Sequence, residues 1–236
     1  MILIFILVAY IFYRIIKWQL ALAKEREIEH EAKVAEQRAI MRQLEQCIST
    51  SNQCAANLPK LVKESERFLN IAESEFEEGA FAPFWDAIEN AAIRLGQFEN
   101  NIRTITYNAS EFKRIGSNAE NPPDFQISDR GLPDASRNAL RMQDIVRRAQ
   151  KNFQFATIYE QRKTNQLLVS GFRTLGEVLN NIGDRLETSL DTFSTAVREL
   201  HVTQQSALSE LEKSAEHQEK TREILTDMQS RRKPRQ

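Results

Sequence analysis

Three histidines, two cysteines and a run of carboxylates around Gly79 are the residues of this chain whose chemistry could exceed packing. His30, His201 and His217 lie on charged stretches, with no cysteine or carboxylate at the spacing a zinc site needs, so solvated histidines are expected. Cys47 and Cys54 are seven residues apart. On one helix that separates their Cα atoms by ~10.5 Å, beyond disulfide reach. They share a face, which makes them core or seam thiols, with a bridge between parallel copies of the chain as the sharper alternative. Glu73, Glu75, Glu77, Glu78, Asp86 and Glu89 could share acid–base work only with a positioned base in a cleft, so a solvated acidic rim is expected. Phosphate loops and dinucleotide fingerprints need clustered glycines after a strand, and the sequence offers no such cluster. No catalytic residue, cofactor or metal is expected, and the chain reads as something other than an enzyme.

The elements that must carry these residues are helical. The 236 residues are 41% hydrophobic and 28% charged, a composition that can fold. Seven Gly and six Pro are few for this length, which speaks against sandwiches, barrels and βαβ repeats. With 32 Lys+Arg against 33 Asp+Glu there is no global field to attract nucleic acid, and none is expected as a partner.

Residues 1–13 carry no charged side chain, and cations follow them at Arg14, Lys17, Lys24 and Arg26. A helix over residues 1–22 is ~33 Å long, enough to span a hydrocarbon core of ~30 Å. Arg14 and Lys17 would then snorkel to the headgroups, with Trp18 at the interfacial belt. A signal peptide would carry its cations first, so a single-pass anchor with the body in the cytosol is expected. Asn108-Ala109-Ser110 fits a glycosylation triplet, which would be silent there.

Residues 23–58 read as a charged helical stalk, ending near Pro59, where a helix boundary or kink is expected. Residues 59–166 read as an antiparallel three-helix bundle, with helices at 59–78, 84–115 and 134–166. The second has the best periodicity, from Phe84 through Ile88, Leu95, Phe98, Ile102 and Ile105 to Phe112. Phe81, Phe84 and Trp85 at the Gly-to-Pro turn either plug the bundle end, the favoured reading, or stand as a partner anchor. Residues 167–229 read as a long coiled-coil arm. Its seam is Leu175, Leu179, Ile182, Leu186, Leu190, Phe193, Val197 and Leu200, weakening beyond Leu200. Residues 230–236 form a basic tail, in which Arg231, Arg232, Lys233 and Arg235 could meet an anionic surface.

The chain is thus expected to be all-α, with an N-terminal transmembrane helix, a stalk, a three-helix bundle and a long C-terminal helix. It reads as a membrane-anchored cytosolic scaffold, associating with itself through the seam and with another helical protein. A membrane-remodelling or fusion factor, or a membrane-linked signal transducer, would share these features.

Overall fold

A computed structural model describes residues 2–119, 121–127, 135–169 and 172–231; of these, the side chains of 2–13, 15, 16, 168, 169, 211, 225 and 227–231 are not described. The chain is all-α among the described residues, apart from one short hairpin. Its elements are α1 (Ile2–Glu78), α2 (Phe81–Gly116), α3 (Ala135–Gln150), α4 (Phe153–Arg162), β1 (Gln166–Val169), β2 (Phe172–Thr174) and α5 (Leu175–Arg231). Two compact units divide it: residues 1–46 with 114–123, and residues 47–113 with 124–236.

In the first unit α1 is mostly exposed, as its dense alternation of Glu with Lys and Arg dictates. Val34, Ile40 and Met41 are half-buried and Leu44 is fully buried. The Gln37 amide donates to the Asn118 carbonyl at 3.1 Å. Among the residues searched, no helix is long and apolar enough to cross a membrane. The side chains of residues 1–13, 15 and 16, on which the anchor expectation rests, lie outside the description.

Five helices contribute to the second unit, α1 from Cys47 onward with α2, α3, α4 and α5, rather than the expected three. Polar contacts fix the directions. Asn108 on α2 donates to Ser51 on α1 while Arg94 pairs with Glu64, so α1 and α2 are antiparallel. Asn138 of α3 meets Ser65, and Arg141 and Arg148 meet Glu73, so α3 runs parallel to α1. Arg185 of α5 meets Glu99 and Lys113 meets Glu199, so α5 runs parallel to α2. Against α3, α5 is antiparallel and close: Gln143 donates to the Leu179 carbonyl at 3.2 Å.

Pro59 does not end a helix; α1 continues through it. A proline inside a helix costs ~3 kcal/mol, but a buried leucine contributes ~1.5–3 kcal/mol. Leu58, Leu61 and Leu69, on both sides of it, are at most 9% exposed, so packing outweighs the break while Pro59 itself faces solvent. Gly79 ends α1. Its φ of +69° is left-handed. Its N–H bonds the Phe76 carbonyl and the Ala80 N–H bonds that of Glu75, the paired closure of a Schellman motif.

The helix expected over 134–166 is broken after Gln150. Asn152 takes extended dihedrals and its side chain accepts from Gln154 N–H, which caps α4. Gln166–Val169 and Phe172–Thr174, expected to be helical, instead pair as antiparallel strands with Gln166 opposite Thr174 and Val169 opposite Phe172. The following turn is capped from Thr174, whose hydroxyl accepts from Glu177 N–H, while the Glu177 carboxylate accepts from Arg173 N–H.

The core is continuous along α2, where Phe84, Trp85, Ile88, Leu95, Phe98, Ile102 and Ile105 are all 0% exposed. Truncating Phe98 to Ala should cost ~3–5 kcal/mol. Tyr107→Ala, at a residue 64% exposed, should fall within ~0.5 kcal/mol of the parent in urea unfolding. Equal midpoints for the two variants would contradict this packing.

Candidate functional site

The chemistry-bearing residues are mostly committed to structure. Burial raises the pKa of both thiols, with Glu111 adding repulsion at Cys47, so neither is an activated nucleophile. His30 and His217 are exposed, and His201 Nε2 lies 3.2 Å from the Phe125 carbonyl. No group of His, Cys, Asp or Glu that could hold a metal ion is found among the described residues.

The acidic rim at the α1–α2 turn is paired in part: Glu73, Asp86 and Glu89 meet arginines, while Glu77 and Glu78 are exposed as expected. Asp86 and Glu89 both meet Arg162 of α4, and Asn165 donates to Glu89. Glu73 receives Arg141 and Arg148 of α3, and Arg141's hydrogen bond is the main cause that lowers its pKa. Asn108 is 9% exposed and bonded to Ser51, so it presents no free amide to a glycan.

The aromatics at the turn plug the body. Phe84 and Trp85 are 0% exposed and Phe81 is half-buried. Phe76, Phe81 and Phe84 all meet Phe155 of α4, with ring centroids 4.9, 4.6 and 5.0 Å away, and Trp85 meets Tyr159 at 5.4 Å. Phe84 and Trp85 thus spend their ring area within the chain, and Phe81, half-buried, keeps part of its ring at the surface.

The seam residues are likewise used internally. Leu175, Leu179, Ile182, Leu186, Phe193, Val197 and Leu200 are at most 5% exposed and Leu190 is half-buried. This half of α5 is a helix of the body, so it presents no stripe to a second chain. Beyond it the burial stops: from Val202 to Thr226 every described side chain except the half-buried Gln204 is exposed. Arg14, Lys17 and Trp18, expected at a membrane interface, are exposed on α1. Arg231 ends α5 with its side chain undescribed, and Arg232, Lys233 and Arg235 lie outside the described residues.

One feature of α2 and α5 escaped the sequence reading. Glu99 is 1% exposed. Arg185 reaches one of its carboxylate oxygens with Nε at 3.2 Å and Nη2 at 2.8 Å, while its guanidinium lies 4.0 Å over the Phe172 ring. Arg103 Nη1 is 3.8 Å from the same oxygen. The pair borders a cleft of about 530 Å³ that Thr106, Tyr107, Ser110, Thr188 and Thr192 also line. Thr106, Ser110, Thr188 and Thr192 donate to carbonyls of their own helices. The cleft can fix α5 against α2, but it holds no activated nucleophile or poised base. Glu99 at position 99 and Arg185 at 185 fall on faces that the periodicity marks as a core edge, which is the signal that could have paired them.

No protein-family model matches the chain, and no curated protein or solved structure is detectably similar to it.

Two measurements follow from these pairs. Arg185→Ala removes the closer of the two arginines at buried Glu99, leaving Arg103 at 3.8 Å, and should cost about 3 kcal/mol, whereas Lys113→Ala, which breaks an exposed pair, should cost less than about 1 kcal/mol in the same unfolding assay. Glu73 has its folded pKa lowered, so its contribution is complete above the ordinary glutamate range and lost as pH falls through the folded value. Glu73→Gln should lower stability at neutral pH and flatten its acid-side decline; an unchanged pH profile would remove Glu73 from the account.

Proposed function

We propose that this chain is a membrane-anchored helical interaction protein, with its body on the cytosolic side and the distal half of α5 as its recruiting arm. The observation that carries the reading is the change in α5 at Leu200. The helix runs on to Arg231, yet its described side chains past His201 gain almost no burial. A helix beyond the body keeps its propensity and its i,i+4 pairs, such as Lys220 with Glu216, but lacks the packing that stabilises most protein helices. Docking another helix would supply it. Val202, Leu208 and Ile224 are 58%, 61% and 56% exposed along this stretch and offer apolar area for that purpose.

The anchor rests on the order of residues. Thirteen positions without a charged side chain come first, and the cations follow. Trp18 and Leu20, 67% and 66% exposed, suit an interfacial environment better than water. The body needs neither end to fold, since its apolar faces close on one another. In chain order it joins the segment read as the anchor to the recruiting arm.

Deleting residues 1–24 should move the protein from the carbonate-resistant membrane fraction to the supernatant. Truncation after Thr203 should leave the melting temperature of the body nearly unchanged while releasing whatever complex the full chain forms from detergent-solubilised membranes. A full-length chain extracted by carbonate would overturn the anchor, and a truncated chain that keeps its complex would overturn the arm.

A further inference from the structure

Resting on the reading of distal α5 as an interaction arm, we infer that its occupant is a second copy of this chain, paired parallel and in register through residues 204–228. From Leu186 the seam positions alternate steps of four and three, and they do so without interruption through Val197 and Leu200 into the exposed half. The face that is buried inside the body up to Leu200 is thus continued, in phase, by the face that emerges from it.

The identities on that face select the occupant. Taking Val197 as an a position, the later a positions are Gln204, Leu211, Gln218 and Leu225, and the d positions between them are Ala207, Ser214 and Thr221. A partner with a purely apolar face would bury the Gln218 amide against hydrocarbon. A parallel copy in register sets Gln218 opposite Gln218. Each primary amide carries both donor and acceptor, so the two satisfy one another. The alternation also fixes the register, because a slip of one heptad would put each glutamine against a leucine. Short side chains at the d positions let the two backbones approach.

The flanks agree with this choice. Leu208 falls at an e position and Ile224 at a g position, so pairing covers both, while Val202, at an f position, stays in solvent. Glu212, Lys213, Glu216, Glu219 and Lys220 fall at b, c and f, on the outer face. The ion pair of Lys220 with Glu216, at 2.6 Å, therefore stays in solvent when the seam closes. A seam this polar is weak between free chains and is strengthened by co-anchoring in one membrane, which raises the effective concentration.

The test uses the full chain in lipid vesicles, with Cys47→Ser and Cys54→Ser to remove the native thiols. Gln218→Cys should form an interchain disulfide under copper phenanthroline at least about tenfold faster than Glu216→Cys, which lies on the outer face. In detergent at high protein concentration, Gln218→Lys should convert the dimer to monomer with unchanged helicity by circular dichroism. Equal crosslinking at positions 218 and 216, or a monomeric parent chain, would overturn the second copy. If crosslinking at 218 fails while truncation after Thr203 still releases a complex, the arm stands and its occupant is a different protein. If crosslinking succeeds while truncation releases nothing else, the second copy is the arm's only occupant.

Discussion

The body is organised by the requirement that α2 bury apolar side chains on more than one side. Fifteen of its residues are buried, too wide a stripe for one neighbouring helix to cover. Each of the other helices can be understood as closing part of that surface. The Schellman turn at Gly79 lays α1 along it antiparallel, α4 brings Phe155 and Tyr159 to its aromatic end, and α5 covers the remainder. The described part of the connection after α2 contributes as well, through Phe125, which packs on Phe112 at 5.3 Å.

Polar contacts then choose among the ways such faces could meet. Hydrophobic burial is non-directional and would tolerate a helix slid by one turn. Ser51 with Asn108, Ser65 with Asn138, and Glu99 with Arg185 would not, because each leaves a buried donor or acceptor unmet if displaced. The near balance of charge in the sequence is realised locally, in pairs within a helix and in pairs that cross from one helix to the next. It is a means of alignment more than of net stability, since pairs at the surface contribute little.

Much of this was legible in the sequence wherever a single periodicity ran long enough. The stripe from Phe84 to Phe112, its end at Gly116 and the heptad steps to Leu200 all lie on helices. Local punctuation was less reliable. Pro59 marks a boundary by propensity, yet the leucines around it hold the helix together. The break at Lys151 and Asn152 has neither glycine nor proline to announce it. The hairpin was concealed because Leu168 and Phe172 fit the helical spacing of the segment that follows, although Ser170-Gly171 between two apolar runs is a hairpin signal. Most instructive is α5: a heptad stripe specifies that a helix must be covered, but not by which chain. The site residues followed the same logic. Glu99 was hidden because a buried carboxylate is recognisable only with its cation, and Arg185 lies 86 residues away.

The continuity of α5 across the edge of the body has a mechanical meaning. Its first part is held by large side chains from Leu175 to Leu200, and its second part is the same covalent rod, whose described side chains past His201 are exposed apart from the half-buried Gln204. Tension drawn along the rod loads all of those side chains together in shear. Tension drawn across it acts first on the turns at the edge of the body, around Leu200, the His201 contact to the Phe125 carbonyl and half-buried Gln204, and peels the helix away one turn at a time. The same joint is therefore strong or weak according to the direction of pull, and a load aligned with α5 is the one that it can bear.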